Sequence, residues 1–287
     1  MRLPASNTAS LTAQRMRAAL QAWCARQPDA SNVTPVHDAV LWRQRWVLLG
    51  GMAVLLVLAL VWPPVLQPAH YHAFADQRSW GALPHAGDVL SNLGFLLAAV
   101  AGAGLLWRAD ARWLSPAVRG LVALFLVGLA ASAGGSACYH WAPVDGSLAW
   151  DRLGMGLAFA GLLGLAVHTR LDDESACWMA AAVLVAAPLA VRVWWQTGNV
   201  LPWSLLQAGG ALAVLWLAWL RPRPGALPVA LGWVVLWYAL AKLLELSDAF
   251  VFAATGELVS GHSLKHWVAA CAAWPVLRAL HVLRIKQ

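Results

Sequence analysis

The chain has 287 residues, of which 61% are hydrophobic and only 11% are charged. Soluble domains carry roughly 25% charged residues, so this composition excludes an ordinary soluble enzyme and predicts that most of the chain lies in lipid. The formal net charge of +7 does not indicate nucleic-acid binding, because most Lys and Arg residues lie between apolar segments, where they set orientation in the membrane.

The N-terminal 44 residues are too polar to enter the membrane. They contain five arginines and one possible amphipathic helix, from Ser10 to Arg26. The first apolar run begins only near Trp46, after a polar stretch longer than the n-region of a signal peptide. We therefore expect no cleavable signal peptide and interpret residues 1–44 as a cytoplasmic tail.

The remaining sequence is a succession of apolar segments. A transmembrane helix needs about 20 mainly apolar residues, and no alternating pattern runs long enough for a membrane β-barrel. We therefore predict an all-α integral membrane protein with eight spans. In chain order they are 46–65, 88–107, 116–139, 148–168, 176–195, 202–220, 227–246 and 263–283.

The charges in the connections predict the orientation of these spans. Lys and Arg are enriched in cytoplasmic loops. Alternate connections and the C-terminus carry Arg108, Arg112, Arg119, Arg170, Arg221, Arg223, Arg284 and Lys286. The opposite connections are poor in positive charge and carry Asp76, Asp88, Asp145, Asp151, Asp248 and Glu257. Both termini are therefore expected in the cytoplasm.

Several polar residues stand at the ends of apolar spans, where ionisable groups are costly and usually functional. With the predicted orientation, all of them fall at the non-cytoplasmic ends of four helices. Ser136 and His140 end the third span in "SACYH", Asp151 begins the fourth, His262 and His266 begin the eighth in "GHSLKHW", and Asp88, Ser91 and Asn92 begin the second. The sequence therefore predicts one polar site at one depth.

The spacing of the histidines indicates a metal site. His262 and His266 are four residues apart, as are Ser136 and His140, and residues i and i+4 share one face of a helix. Three imidazoles with one open position are the usual ligand set of catalytic zinc, which lowers the pKa of a bound water towards neutrality. Asp151 is a candidate for proton transfer and Ser136 for a hydrogen bond to a developing oxyanion.

Each residue also has a purely structural interpretation. An isolated HxxxH occurs in haem sites and in polar helix contacts, and His140 could bind lipid headgroups. Asp151 is favoured at a helix N-terminus by the helix dipole, and Ser91 and Asn92 could join helices by hydrogen bonds. Their coincidence at one depth favours the metal site.

Two further groups are interpreted as structural: Lys242 pairs with Glu245 or contacts a headgroup, and Lys265 faces away from the histidines towards headgroups.

The ordered set of residues resembles the alkaline ceramidase family, which belongs to a superfamily of seven-helix membrane hydrolases that also includes the progestin and adiponectin receptor-like proteins. The shared pattern is Ser-x3-His, then an Asp eleven residues later, then HxxxH in the last helix, and it reads here "SACYH", "WDRLGMG" and "HSLKH". "DVLSNLGFLLAAVAG" is similar to the family's first core helix. The resemblance covers about residues 70–285 and implies a seven-helix core, with residues 45–67 as an extra N-terminal transmembrane helix.

The resemblance implies Zn²⁺ held by His140, His262 and His266, with Ser136 and Asp151 completing the catalytic site. The implied reaction is hydrolysis of a ceramide or another N-acyl membrane lipid to a fatty acid and a sphingoid-type amine. Ser136 would stabilise the oxyanion, and Asp151 would carry the proton to the leaving amine.

One departure concerns calcium and the substrate. Eukaryotic alkaline ceramidases carry an acidic calcium-binding cluster before the first core helix, where this chain offers only Asp76 and Asp88. The cluster is therefore not matched, and neither Ca²⁺ nor the identity of the lipid headgroup follows from the resemblance.

Two other functions are compatible with the same residues. One is a receptor-like or signalling member of the same superfamily. The other is a haem-binding electron-transfer protein that uses His140 with His262 or His266, which would give Ser136 and Asp151 no task.

Overall fold

The computed structural model describes residues 35–110 and 112–285, so the predicted helix from Ser10 to Arg26 lies outside the described residues. The chain divides into two compact units, Met1–Trp46 and Val47–Gln287. In the first unit the described residues, from Pro35 on, are helical, and that helix continues into the second unit.

Within the described residues all regular elements are helices, which confirms the all-α prediction. They are α1 (Pro35–Val61), α2 (Ala86–Ser91), α3 (Leu93–Arg108), α4 (Pro116–Trp141), α5 (Asp145–His168), α6 (Asp173–Thr197), α7 (Leu201–Trp219), α8 (Leu231–Leu246), α9 (Asp248–Ala254), α10 (Gly261–Cys271) and α11 (Trp274–Ile285).

Six helical segments in the described residues are long and apolar enough to cross a membrane. They are Ala39–Val61, Ala86–Arg108, Pro116–Trp141, Asp145–His168, Asp173–Thr197 and Leu201–Trp219. They agree with the first six predicted spans, although α1 begins eleven residues before its predicted start. The protein is therefore a helical chain with the character of a multi-pass membrane protein.

The last two predicted spans are shorter or broken. Helix α8 has only 16 residues, because the chain reaches Leu231 from a proline-rich stretch that ends at Pro228. The last predicted span is divided between α10 and α11, with Ala272 and Ala273 between them. Pro275, in the first turn of α11, has no backbone N–H to continue α10 through this point. In the part of the chain that the structure describes, the eight predicted spans therefore do not all form single long helices.

Glycines bring α4 and α5 into close contact. Gly128 and Gly135 of α4, and Gly154 and Gly161 of α5, each stand where a Cβ atom would meet the backbone of the other helix. At Gly135 the added Cβ would lie 2.7 Å from the backbone oxygen of Trp150 and 3.0 Å from the backbone nitrogen of Asp151. Small residues permit this kind of close approach in membranes, and here it sets the start of α5 beside the end of α4.

Replacing Gly135 by alanine should therefore destabilise the protein, because the methyl group forces α4 and α5 apart. Overpacking of this kind costs about 1–3 kcal/mol. Gly134 is the matched control, since nothing lies within 4 Å of the position of its Cβ. Thermal unfolding in detergent should show a lower midpoint for Gly135→Ala and no loss for Gly134→Ala. Equal midpoints would contradict the close contact.

Candidate metal centre

Three histidines from two helices meet in the protein interior. His140 lies one residue before the end of α4, and His262 and His266 lie one turn apart on α10. The three side chains are buried, and the ligand atoms that they offer all lie within 4.8 Å of one another. The structure thus brings together the three histidines that the sequence predicted, in a group that could hold a metal ion.

The distances between the imidazoles fit a small tetrahedral ion. The Nε2 atoms of His140 and His262 lie 3.2 Å apart. Two nitrogens bound tetrahedrally to zinc at 2.0–2.1 Å are about 3.3 Å apart, so this pair is close to the spacing that zinc requires. The ring of His266 has its centroid 5.0 Å from each of the other two, so all three rings surround one point.

The side chain of Ser91 fixes the orientation of His266. The Ser91 hydroxyl donates to the backbone oxygen of Asp88 at 2.9 Å, and the same Oγ lies 2.7 Å from His266 Nδ1. Because the hydroxyl hydrogen is directed at Asp88, His266 Nδ1 donates to Ser91, which leaves the lone pair on Nε2. Such outer hydrogen bonds set the tautomer of metal-binding histidines, so His266 is prepared to bind a cation through Nε2.

The break between α2 and α3 makes the Asp88 carbonyl available for this role. Asn92 lies between the two helices, and its Nδ2 also donates to the backbone oxygen of Asp88, at 2.8 Å. The Asp88 carboxylate accepts from Ser260 at 3.2 Å and from Ser263 at 2.6 Å through Oδ1. The predicted supporting residues Asp88, Ser91 and Asn92 therefore join α2 to the start of α10, where the two histidines lie.

Asp248, which the sequence indicated only as an external acid, anchors α10 to the loop before α2. Its Oδ1 accepts from the backbone nitrogen of His262 at 2.8 Å, and its Oδ2 accepts from the backbone nitrogen of Ala75 at 3.0 Å. Gly261 also approaches closely, since a Cβ there would lie 2.8 Å from Asp248 Cα. One carboxylate therefore sets both the first turn of α10 and the position of residues 74–75.

Phe74 covers part of the histidine cluster. Its ring is 7% exposed and packs edge-on against His140, with centroids 4.7 Å apart, and against His262, with centroids 4.5 Å apart. A buried aromatic ring at this contact keeps water from the two imidazoles and limits their rotation. No pattern in the sequence predicted this role, because Phe74 lies in an irregular loop and is held at the site by tertiary contacts, such as the bond from Ala75 to Asp248 and packing against Tyr139.

A cavity of about 180 Å³ opens beside His266. Ser136 and Asp151 line it together with His266. Most of the remaining wall is apolar and continues along α5 to Leu163, which is about 18 Å from Asp151 at 1.5 Å per helical residue. The five residues predicted for the site therefore lie in one region, three in the histidine cluster and two in the adjoining cavity.

The sequence did not predict the partner of Lys265. Its ammonium lies on the cavity wall and donates to Glu245 Oε1 at 2.7 Å. Lys242 donates to Glu245 Oε2 at 2.5 Å, as predicted for a structural pair, but it also lines the cavity. On α10, Lys265 is one residue before His266, so helical rotation directs it to α8 rather than to the histidine cluster.

The contacts of Asp76 explain why it is a poor candidate for a calcium ligand. Both carboxylate oxygens of Asp76 accept from the Arg78 guanidinium, at 2.8 Å and 2.7 Å, and Oδ1 also accepts from the Arg78 backbone nitrogen. These hydrogen bonds hold the pKa of Asp76 below its ordinary value. A cation at Asp76 would have to displace this guanidinium.

No protein-family model, curated protein or solved structure matches this chain. The chemistry of the site therefore has to be inferred from its own residues.

Proposed function

We propose that this chain is a zinc-dependent membrane hydrolase of the alkaline ceramidase type, which cleaves the amide bond of a membrane lipid. One observation carries most of the proposal: three buried histidines form one cluster, and His266 of that cluster lines a cavity that also presents Ser136 and Asp151. Three neutral imidazoles leave one tetrahedral position open, which is the arrangement of catalytic rather than structural zinc.

The proposed reaction adds water to the amide carbonyl and releases a fatty acid and an amine. Bound zinc, held by the three histidines, would polarise the carbonyl and make water nucleophilic near neutral pH. Asp151 accepts the proton that this water loses as the new C–O bond forms. It returns the proton to the nitrogen as the C–N bond breaks.

Ser136 and Asp151 line the same cavity, and a hydrogen bond between them during the reaction would couple the two roles. While Asp151 is ionised, its carboxylate would accept from the Ser136 hydroxyl. Once Asp151 has taken up the proton, its carboxyl group becomes the donor to Ser136 Oγ. The Ser136 hydroxyl hydrogen is then free to stabilise the negative charge on the carbonyl oxygen, at the moment when that charge develops.

The apolar wall of the cavity suits an acyl chain. It is formed by side chains such as Phe95, Phe125, Leu129, Met155 and Phe159. Because the polar groups are concentrated near Ser136 and Asp151, a lipid would enter with its amide at that end and its acyl chain along α5. Because the acyl chain of a membrane lipid already lies in hydrocarbon, this wall would select the chain by shape and van der Waals packing rather than by removing it from water.

We further propose that the protein crosses the membrane eight times, as a seven-helix core preceded by α1. The segment α2–α3 and helices α4 to α8 would each cross once, and α10 with α11 would complete the last crossing, despite the break at Ala272. Helix α8, at about 24 Å, is near the lower limit for a span. The Lys and Arg residues of the connections support an orientation with both termini in the cytoplasm and the histidine cluster near the opposite face.

The geometry favours zinc over haem. A haem iron bound by two histidines needs them on opposite faces of the porphyrin, with the macrocycle between them. The Nε2 atoms of His140 and His262 are 3.2 Å apart, which is too close for ligands on opposite sides of one metal ion. The haem alternative would also leave Ser136 and Asp151 without a task.

Metal analysis, an absorption spectrum and a hydrolysis assay on the purified protein test the proposal. We expect one zinc per chain, no Soret band, and release of fatty acid from ceramide or from another N-acyl lipid that lipid profiling of membranes with and without the protein identifies. A Soret band without zinc would overturn the metal assignment. Zinc without hydrolysis of any lipid amide would favour the receptor-like alternative.

Replacing Ser91 by alanine should weaken metal binding without removing a ligand. The variant loses the hydrogen bond that orients His266, and the loss of such a partner typically lowers metal affinity by about 10–100-fold. Competition with a chromogenic zinc chelator measures this change. Ser147→Ala is the control, because Ser147 hydrogen-bonds only the backbone around the start of α5. Equal affinities for wild type and Ser91→Ala would contradict the orienting role.

A further inference from the structure

The cavity contains a second group of charged side chains, separate from the histidine cluster. Lys242 and Glu245 come from the last turns of α8, and Lys265 comes from the second turn of α10. Each lysine lies four residues inside its helix end, or about 6 Å along the helix axis. Charged residues at such a depth are rare and mark functional sites, and the proposed mechanism uses none of these three.

The charges of this group do not balance. Both ammonium groups donate to the same carboxylate, Lys242 to one oxygen of Glu245 and Lys265 to the other. Among the described residues no other carboxylate lies within 4.0 Å of either ammonium. Two positive charges therefore share one negative charge, and the group carries a net positive charge.

The two lysines also retain hydrogen-bond donors. An ammonium group has three N–H bonds, and each lysine directs only one of them to Glu245, so four N–H bonds have no acceptor among the described residues. The Lys265 side chain is only 18% exposed. A buried cation with unused donors is costly in an apolar medium unless a ligand supplies acceptor atoms.

The location determines which part of a lipid these donors would meet. Lys242, Glu245 and Lys265 line the same cavity as Asp151 and His266. The apolar wall accounts for the acyl chain, so the lysines lie near the polar end, where the amide and the groups attached to its nitrogen would be bound.

We propose that Lys242 and Lys265, held in place by Glu245, bind an anionic oxygen group of the lipid, a carboxylate or a phosphate. This inference rests on the proposed function. It narrows the substrate to N-acyl lipids whose amine portion carries a negative charge. The same chemistry would also bind the carboxylate of the released fatty acid, and the experiment separates these two sources.

The first arm compares hydrolysis of N-palmitoylglycine, which is anionic, with hydrolysis of N-palmitoylethanolamine, which is neutral. We define the ratio as kcat/KM for N-palmitoylglycine divided by kcat/KM for N-palmitoylethanolamine. This ratio should fall about tenfold or more in Lys265→Met and Lys242→Met, because hydrogen bonds to charged groups are stronger than hydrogen bonds between neutral groups. Glu245→Gln should change the ratio in the opposite direction, because it removes the competing negative charge. Arg192→Met is the matched control: it removes an exposed cation of α6 that does not line the cavity.

The second experiment measures ligand binding and does not require the protein to hydrolyse a substrate. Thermal unfolding with palmitate or with hexadecanol, in the presence of a metal chelator, measures whether the lysines distinguish an anion from an alcohol of the same chain length. Stabilisation by palmitate that is lost in Lys265→Met, without discrimination between the two amides, would assign the group to the product carboxylate. Lysine-dependent binding of palmitate in a protein that hydrolyses no amide would overturn the proposed function but retain the anion site.

The proposal fails if neither arm depends on the lysines. An unchanged kcat/KM ratio in Lys242→Met, Lys265→Met and Glu245→Gln, together with equal stabilisation by palmitate and hexadecanol, would show that the three residues form only a structural contact between α8 and α10. If a lysine variant does not fold, Glu245→Gln and the comparison of palmitate with hexadecanol on the wild-type protein decide between these outcomes.

Discussion

Replacing His266 by alanine is expected to remove the bound metal and to abolish lipid-amide hydrolysis, while the protein still folds into the membrane. Among the described residues, His266 is one of the three histidines that could hold a metal ion, and its Nδ1 is hydrogen-bonded to Ser91. Loss of the metal removes several kcal/mol of transition-state stabilisation, so turnover should fall by at least about 10³-fold. Zinc stoichiometry and release of fatty acid measure the two effects on one preparation.

His281→Ala is the matched control for this variant. His281 lies on α11, is exposed and is absent from the histidine cluster. It should retain wild-type zinc content and wild-type turnover. If His266→Ala hydrolysed the lipid as fast as the wild type, the assignment of the histidine cluster as the catalytic centre would be wrong.

Replacing Asp151 by asparagine is expected to separate metal binding from turnover. Asp151 lines the cavity beside the histidine cluster together with Ser136, but it is not part of the group that could hold the ion. The zinc content should therefore stay at the wild-type level. General acid–base catalysis contributes about 10²–10⁴-fold, and kcat should fall by that factor because asparagine cannot carry the proton.

Asp145→Asn controls for the loss of a carboxylate from the same helix. Asp145 begins α5, and its exposed carboxylate accepts from Gln67 and His72 instead of facing the cavity. Its kcat should stay near the wild-type value. Unchanged kcat in Asp151→Asn, or an equal loss in both variants, would remove Asp151 from the proposed mechanism.

The sequence predicted much of the helical framework because the relevant forces are local. Apolar composition and length identified the six long helices, since backbone polar groups in lipid must be satisfied within each helix. Proline explains the main differences: Pro228 precedes the shortened α8, and Pro275 accompanies the division of the last predicted span. The effects of proline are also local, but a prediction based on counting apolar residues does not take them into account.

The sequence predicted those parts of the candidate site whose residues lie on the same helix, because their spacing decides which of them share a face. His262 and His266 share a face of α10 because they are four residues apart, and Ser136 and His140 share a face of α4 for the same reason. For Lys265, spacing along α10 predicted that the side chain avoids the face of the histidines, but not that Glu245 of α8 lies opposite it.

Composition and spacing by themselves determined that this chain forms apolar helices with polar residues near their ends, and that two histidines and a serine–histidine pair each lie on one helical face. Only the tertiary structure decided which faces meet. The contact at Gly135 brings Ser136 to Asp151, and Asp248 links His262 to the loop that carries Phe74. These contacts join residues distant in the chain, so they depend on how helices pack against one another, which no local pattern encodes.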